Sequence, residues 1–152
     1  MIELDVIGVR VDLPSNVPML LLKETNGSRY LPVWIGATEA TSIVNVIEGL
    51  EPPRPLTHDL MAAILTSLGH TDITGCITDV SGGVFYAHLV INGQSITARP
   101  SDVVALALRM GFALTCTEGL MDQVGVEASQ PESDEVEKFR EFLESINPED
   151  FE

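Results

Sequence analysis

The chain has 152 residues, 45% of them hydrophobic and 20% charged, a composition that folds around a core instead of staying disordered. Its net charge is −15, so it repels polyanions at long range and gains nothing from counterion release, which on composition alone argues against a nucleic-acid partner. It has no 18-residue apolar run and no basic leader, so neither a membrane-spanning helix nor a secretory signal is expected.

Residues 2–7 alternate with Ile2, Leu4 and Val6 on one face. The phase shifts at Gly8, after which Val9 and Val11 continue the apolar face, as in a strand with a bulge. Two β-like runs, 19–24 and 28–35, flank Asn26-Gly27 and predict a hairpin. Thr38 is expected to cap a helix with Ala40, Ile43, Val46, Ile47 and Leu50 at helical spacing, stopped by Gly49 and Pro52-Pro53. A second helix begins at Thr57 or Asp59, buries Leu60, Ile64 and Leu68, and ends at Gly69. Strands are predicted at 73–80 and 84–91, joined through Ser81-Gly82-Gly83, and Asn92-Gly93 leads into the short strand "QSITA". From Ser101-Asp102 runs a helix whose body, "VVALALRM", is apolar all round and therefore expected to be buried. Gly111 ends it, and 112–117 reads as a strand.

Within this order lies an echo. Residues 26–43 and 92–106 each read Asn-Gly, strand, then an acid-bearing helix start, which predicts a β-hairpin–α unit used twice in one α+β domain over residues 1–127. The remainder, 128–152, reads as an acidic linker and a short amphipathic helix; residues 129–152 hold 9 acids against 2 bases. The stripe Val136, Phe139, Leu143 and Ile146 must dock on this body or on another subunit. Cys76 and Cys116 lie in apolar alternating segments without a CxxC partner and read as buried free thiols of a cytoplasmic protein.

Three helix starts carry an acid in the first turn: Glu39, Asp59 and Asp102. Capping and the helix dipole account for acids there. They do not account for Arg54 and Arg99, each beside a proline and just upstream of an acid. A guanidinium on stiff backbone at a helix N-terminus suits an anion; a structural Arg–Asp pair is the competing reading. Of the three histidines, His70 follows a helix end and His88 sits on an alternating strand, whereas His58 adjoins Asp59 at a helix start. There it suits general acid–base work or metal ligation beside carboxylates. Trp34, Phe85 and Tyr86 have faces for stacking bases, though a core role is expected in a chain with 5% aromatics. Walker A, GxGxxG, HExxH, GxSxG and paired-cysteine zinc motifs are all missing, and Ser101 has no nucleophile-elbow setting.

Four co-linear segments, "LPVWIGATEATSI" (31–43), "RPLTHDLMAAIL" (54–65), "GGVFYAHL" (82–89) and "ARPSDVVALALR" (98–109), together resemble the bifunctional nuclease family of small bacterial and plant proteins with RNase and DNase activity. The resemblance spans roughly residues 1–127, and the tail looks like the extension of actinobacterial members. It implies an α+β fold on a mixed, largely antiparallel sheet, a homodimer, and hydrolysis of RNA or DNA without sequence specificity. Carried onto this sequence, it marks Glu39, His58, Asp59 and Asp102 as catalytic candidates and Arg54, Arg99 and Ser101 as substrate-binding ones. Thr97 stands where an acid often precedes the "ARPSD" motif. Glu39 and Asp102 would complete the site either as base and orienter or as ligands for a divalent cation, Mg²⁺ or Mn²⁺, and such a cation would supply the attraction that 8 basic side chains against 23 acids do not. The alternative is a non-catalytic module of the same fold that binds a small anion or serves regulation.

Overall fold

Two three-stranded meanders, each feeding a helix, build the fold. Strands β1 (Ile2–Asp12), β2 (Val17–Glu24) and β3 (Arg29–Trp34) pair antiparallel and lead into α1 (Ala37–Ile47). After α2 (Thr57–Ser67), the strands β4 (Ile73–Ser81), β5 (Val84–Ile91) and β6 (Gln94–Ala98) repeat the pattern and lead into α3 (Pro100–Met110). Then follow β7 (Ala113–Cys116), α4 (Glu118–Val124) and β8 (Val126–Glu127). The eight strands form one sheet in the order β6-β5-β4-β7-β1-β2-β3-β8. Only β4–β7 is parallel among the described pairs, so the fold is α+β on a mixed, mostly antiparallel sheet. This computed structural model describes residues 1–12 and 14–127; the expected acidic linker and the amphipathic stripe Val136 to Ile146 lie outside the described residues.

Local chemistry explains most of these elements. Asn92 and Gly93, with φ of 49° and 82°, both adopt the left-handed backbone that a two-residue hairpin needs. The β1 register shifts between Val6 and Gly8, at the phase change in the apolar pattern. Met19 to Leu22 on β2 are buried on both faces, which is why they read as a continuous apolar run. Helix α3 is the hub: Val103, Val104, Ala105 and Leu106 are fully buried, and both α1 and α2 pack against it. Gly75 lets α3 close on β4, since a methyl at that position would overlap the Val103 side chain.

The structure corrects several expectations. Gly36, not Thr38, caps α1, and Leu56 caps α2, with Thr57 already inside the first turn. Leu60, Ile64 and Leu68 face outward at 51%, 48% and 67% exposure, while α2 turns His58, Ala62 and Leu65 inward. Large apolar residues surround α2, so spacing alone did not tell its faces apart, and small Ala62 fits the close approach to α3. Trp34 and Tyr86 are also outside the core, each 47% exposed. Helix α4 was not anticipated; Thr117 caps it by accepting the Leu120 N–H at 3.2 Å. Val126 and Glu127, for which no strand was expected, pair with Tyr30 and Arg29. Cys76 and Cys116 are buried and free, and burial pushes the Cys116 thiol up to about 11. No described helix is long and apolar enough to cross a membrane.

Candidate functional site

The N-terminal turns of α1, α2 and α3 meet. Arg99, at the cap of α3, is the junction: its Nη1 donates to Glu39 Oε1 at 2.6 Å, and its Nε and Nη2 donate to the two Asp102 oxygens at 2.9 and 3.0 Å. Glu39 comes from the first turn of α1, which is why residue 36 is glycine: the Glu39 carboxylate folds back over it, into space a Cβ would fill. Asp102 also accepts from the α2 histidine, with His58 Nε2 at 2.9 Å from Oδ1. The other ring nitrogen, Nδ1, lies 2.6 Å from Ser42 Oγ on α1. With Nε2–H given to Asp102, a neutral ring accepts the Ser42 hydroxyl proton at Nδ1.

The chain continues through two residues that sequence reasoning passed over. Arg109, in the last turn of α3, donates from Nη2 to Ser42 Oγ at 3.3 Å and to the Ser42 carbonyl at 3.1 Å. Its Nε donates to Asp59 Oδ1 at 2.7 Å, and Asp59 Oδ2 accepts the Leu56 N–H at the start of α2. The result is an unbroken network, Glu39–Arg99–Asp102–His58–Ser42–Arg109–Asp59, and among the described residues no buried side-chain nitrogen or oxygen lacks a hydrogen-bond partner. Asp59 therefore does not orient His58, its chain neighbour; Asp102, 44 residues away, does. Consecutive helical residues do not face one another, so His58 and Asp59 turn to different partners.

The other candidates fall outside this network. Arg54 is exposed on the connector before α2, in no ion pair with a described residue, and Ser101 is buried in α3. His58 itself is buried, whereas the Arg99 side chain is 61% exposed. The three bonds of Arg99 use three of its five N–H groups, leaving two to meet an anion.

Electrostatics keeps the acids ionised. The backbone N–H of Glu39 and the Arg99 guanidinium hold the Glu39 carboxyl below its ordinary value. Arg109 does the same for Asp59, against a smaller opposing effect of burial. Burial pushes the Asp102 carboxyl up, but hydrogen bonds from Arg99 and His58 outweigh it and leave it low. The expected divalent cation does not fit this arrangement as a resident group. Arg99 stands between the two carboxylates that would ligate it, and no three His, Cys, Asp or Glu among the described residues converge as a ligand set.

Residues 20–129, which include every member of the network, match the model of the bifunctional nuclease domain. The chain belongs to that family. Uncharacterized proteins from two strains of Mycobacterium tuberculosis are each 46% identical to it over 159 residues, spanning 98% of this chain and 97% of theirs. In this bifunctional nuclease domain the network borders a cleft of about 270 Å³, lined among others by Glu39, Arg99, Ser101, Trp34, Val84 and Phe85.

Proposed function

We propose that the protein is a cytoplasmic nuclease that hydrolyses phosphodiester bonds of RNA or DNA without sequence specificity. The observation that carries the reading is the exposed, doubly braced Arg99 joined through Asp102 to a histidine. Arg99 binds the phosphate with its free N–H groups and offsets the charge that develops on it. Glu39 and Asp102 fix the plane of the guanidinium. His58 takes the proton of the attacking nucleophile through Ser42 Oγ: the hydroxyl passes its own proton to Nδ1 and accepts the new one, and Asp102 stabilises the imidazolium. Asp59 holds Arg109 and through it Ser42. Arg54 and Ser101 contribute outside the network, Arg54 as a second basic contact at the start of α2 and Ser101 at the wall of the cleft. A Mg²⁺ or Mn²⁺ counterion brought by the substrate lessens repulsion from the −15 chain. Binding is then weak and salt-sensitive.

The test is cleavage of single-stranded RNA and DNA by wild-type and Arg99→Gln proteins purified side by side. The variant is expected to be slower by about 10²-fold, the effect of removing one charge-stabilising donor. Equal rates sink the assignment of Arg99. One observation favours the non-catalytic alternative: every acid of the network is already paired. An anion-binding module of that kind retains phosphate binding through Arg99 but shows no turnover at any purity.

We further propose a homodimer through α2. Leu56, Leu60, Ile64 and Leu68 recur every four residues as an exposed stripe, and α2 holds one acid, Asp59, already committed to Arg109. Two chains of charge −15 repel except across an uncharged surface, and a stripe on one helix matches itself about a two-fold axis. Sedimentation at micromolar concentration is expected to give a dimer for the wild type and a monomer for Ile64→Glu. A dimeric variant, or a monomeric wild type with residues 128–152 covering the stripe, overturns this interface.

A further inference from the structure

The cleft beside Arg99 is lined by two unlike sets of side chains. One set is charged, Arg99 and Glu39, which pair with each other. The other is apolar, Trp34, Val84 and Phe85, with Trp34 47% exposed and Val84 55% exposed. Trp34 is the last residue of β3, paired with Met19 on β2, so its position is set by the sheet and not by a loop. Half-exposing the largest apolar side chain of the molecule gains nothing for folding. In addition, the N-cap residues of α1 and α3, Gly36 and Arg99, both line this cleft.

We infer that this cleft seats one unpaired nucleotide, its base stacked on Trp34 and its phosphate on Arg99, which makes the substrate single-stranded. The inference rests on the nuclease reading for the identity of the anion. A flat apolar face beside a guanidinium matches a ligand that joins a flat aromatic ring to an anion, and base–aromatic stacking is tolerant of sequence because every base has a π-face. At about 270 Å³ the cleft has room for a single base. A base inside a duplex already has its faces covered by its neighbours and does not reach the indole.

Because Trp34 is the single tryptophan, its fluorescence reports this cleft alone. Adenosine and uridine 5′-monophosphates and single-stranded oligonucleotides are expected to quench it saturably. Inorganic phosphate and ribose 5-phosphate compete without quenching, and duplex of the same sequence binds at least about tenfold more weakly. By calorimetry, Trp34→Leu loses about tenfold in affinity for the single strand, the effect of one lost stack, while Trp34→Phe stays within a few-fold. Thermal melting confirms that both variants are folded. Quenching by ribose 5-phosphate equal to that by the nucleotides, equal affinity for duplex, or unchanged affinity of Trp34→Leu overturns the base seat. Cleavage of the same oligonucleotides separates the two ideas. Turnover without quenching leaves the nuclease reading standing and removes the seat; quenching without turnover does the reverse.

Discussion

Exchange of His58 for glutamine is expected to slow phosphodiester cleavage by about 10²–10⁴-fold, the range spanned by general acid–base groups. Glutamine keeps one hydrogen bond, to Asp102 or to Ser42, and fills similar space, so the α1–α2–α3 junction stays closed. What it lacks is a nitrogen that both accepts and releases a proton near neutral pH. Two readouts separate this from a structural role. The glutamine variant is expected to melt at the wild-type temperature while its turnover falls, whereas a merely loosened site lowers both. Ser42→Ala is expected to fall in the same direction, because His58 is buried with both nitrogens engaged and the proposed relay runs through the serine hydroxyl. A Ser42→Ala enzyme with the wild-type rate removes the relay. Equal turnover by wild type and His58→Gln assigns the activity to a contaminant.

The legible part of this site was its local part. Glu39, Asp102 and Arg99 stood out because acids and a proline-flanked arginine at helix starts have a mechanism that works within a few residues. The repeated hairpin and helix announced that such starts occur in equivalent places, and the sheet order around β7 brings α1 and α3 together. Ser42 and Arg109 were invisible for the opposite reason. Ser42 is one polar residue in the middle of a helix, and Arg109 falls within "VVALALRM", which reads as apolar all round. Their meeting spans 67 residues, and no periodicity encodes it. Trp34 was misjudged because an aromatic in an alternating strand is normally core, and only the sheet shows that β3 ends at the rim of a cleft.

Arg109 is where the network matters most for stability. Its side chain is 8% exposed, and its bonds reach Asp59, the Ala105 carbonyl and both oxygens of Ser42. Arg109→Met keeps the length and removes the charge, leaving the Asp59 carboxylate and the Ser42 carbonyl without their shared donor. The expected loss is about 1–3 kcal/mol, the cost of leaving part-buried polar groups without their donor. For a body of this size that lowers Tm by roughly 3–10 °C. Asp59→Asn, which leaves the arginine charged and unpaired, destabilises in the same direction. The double variant is expected to lose less than the two single losses added together, since each single change strands the other group. The pair also has a pH signature. Arg109 holds the folded Asp59 carboxyl below its ordinary 3.8, so the folded state binds that proton less tightly than the unfolded one. Its contribution is therefore complete above pH 3.8 and is lost as pH falls through the lower folded value. Thermal melts from neutral pH down to about pH 2.5 should show the wild type losing stability through that window. The Arg109→Met protein, already without the pair, falls less steeply there; parallel curves place the stabilisation in the packing of the arginine stem and not in its charge.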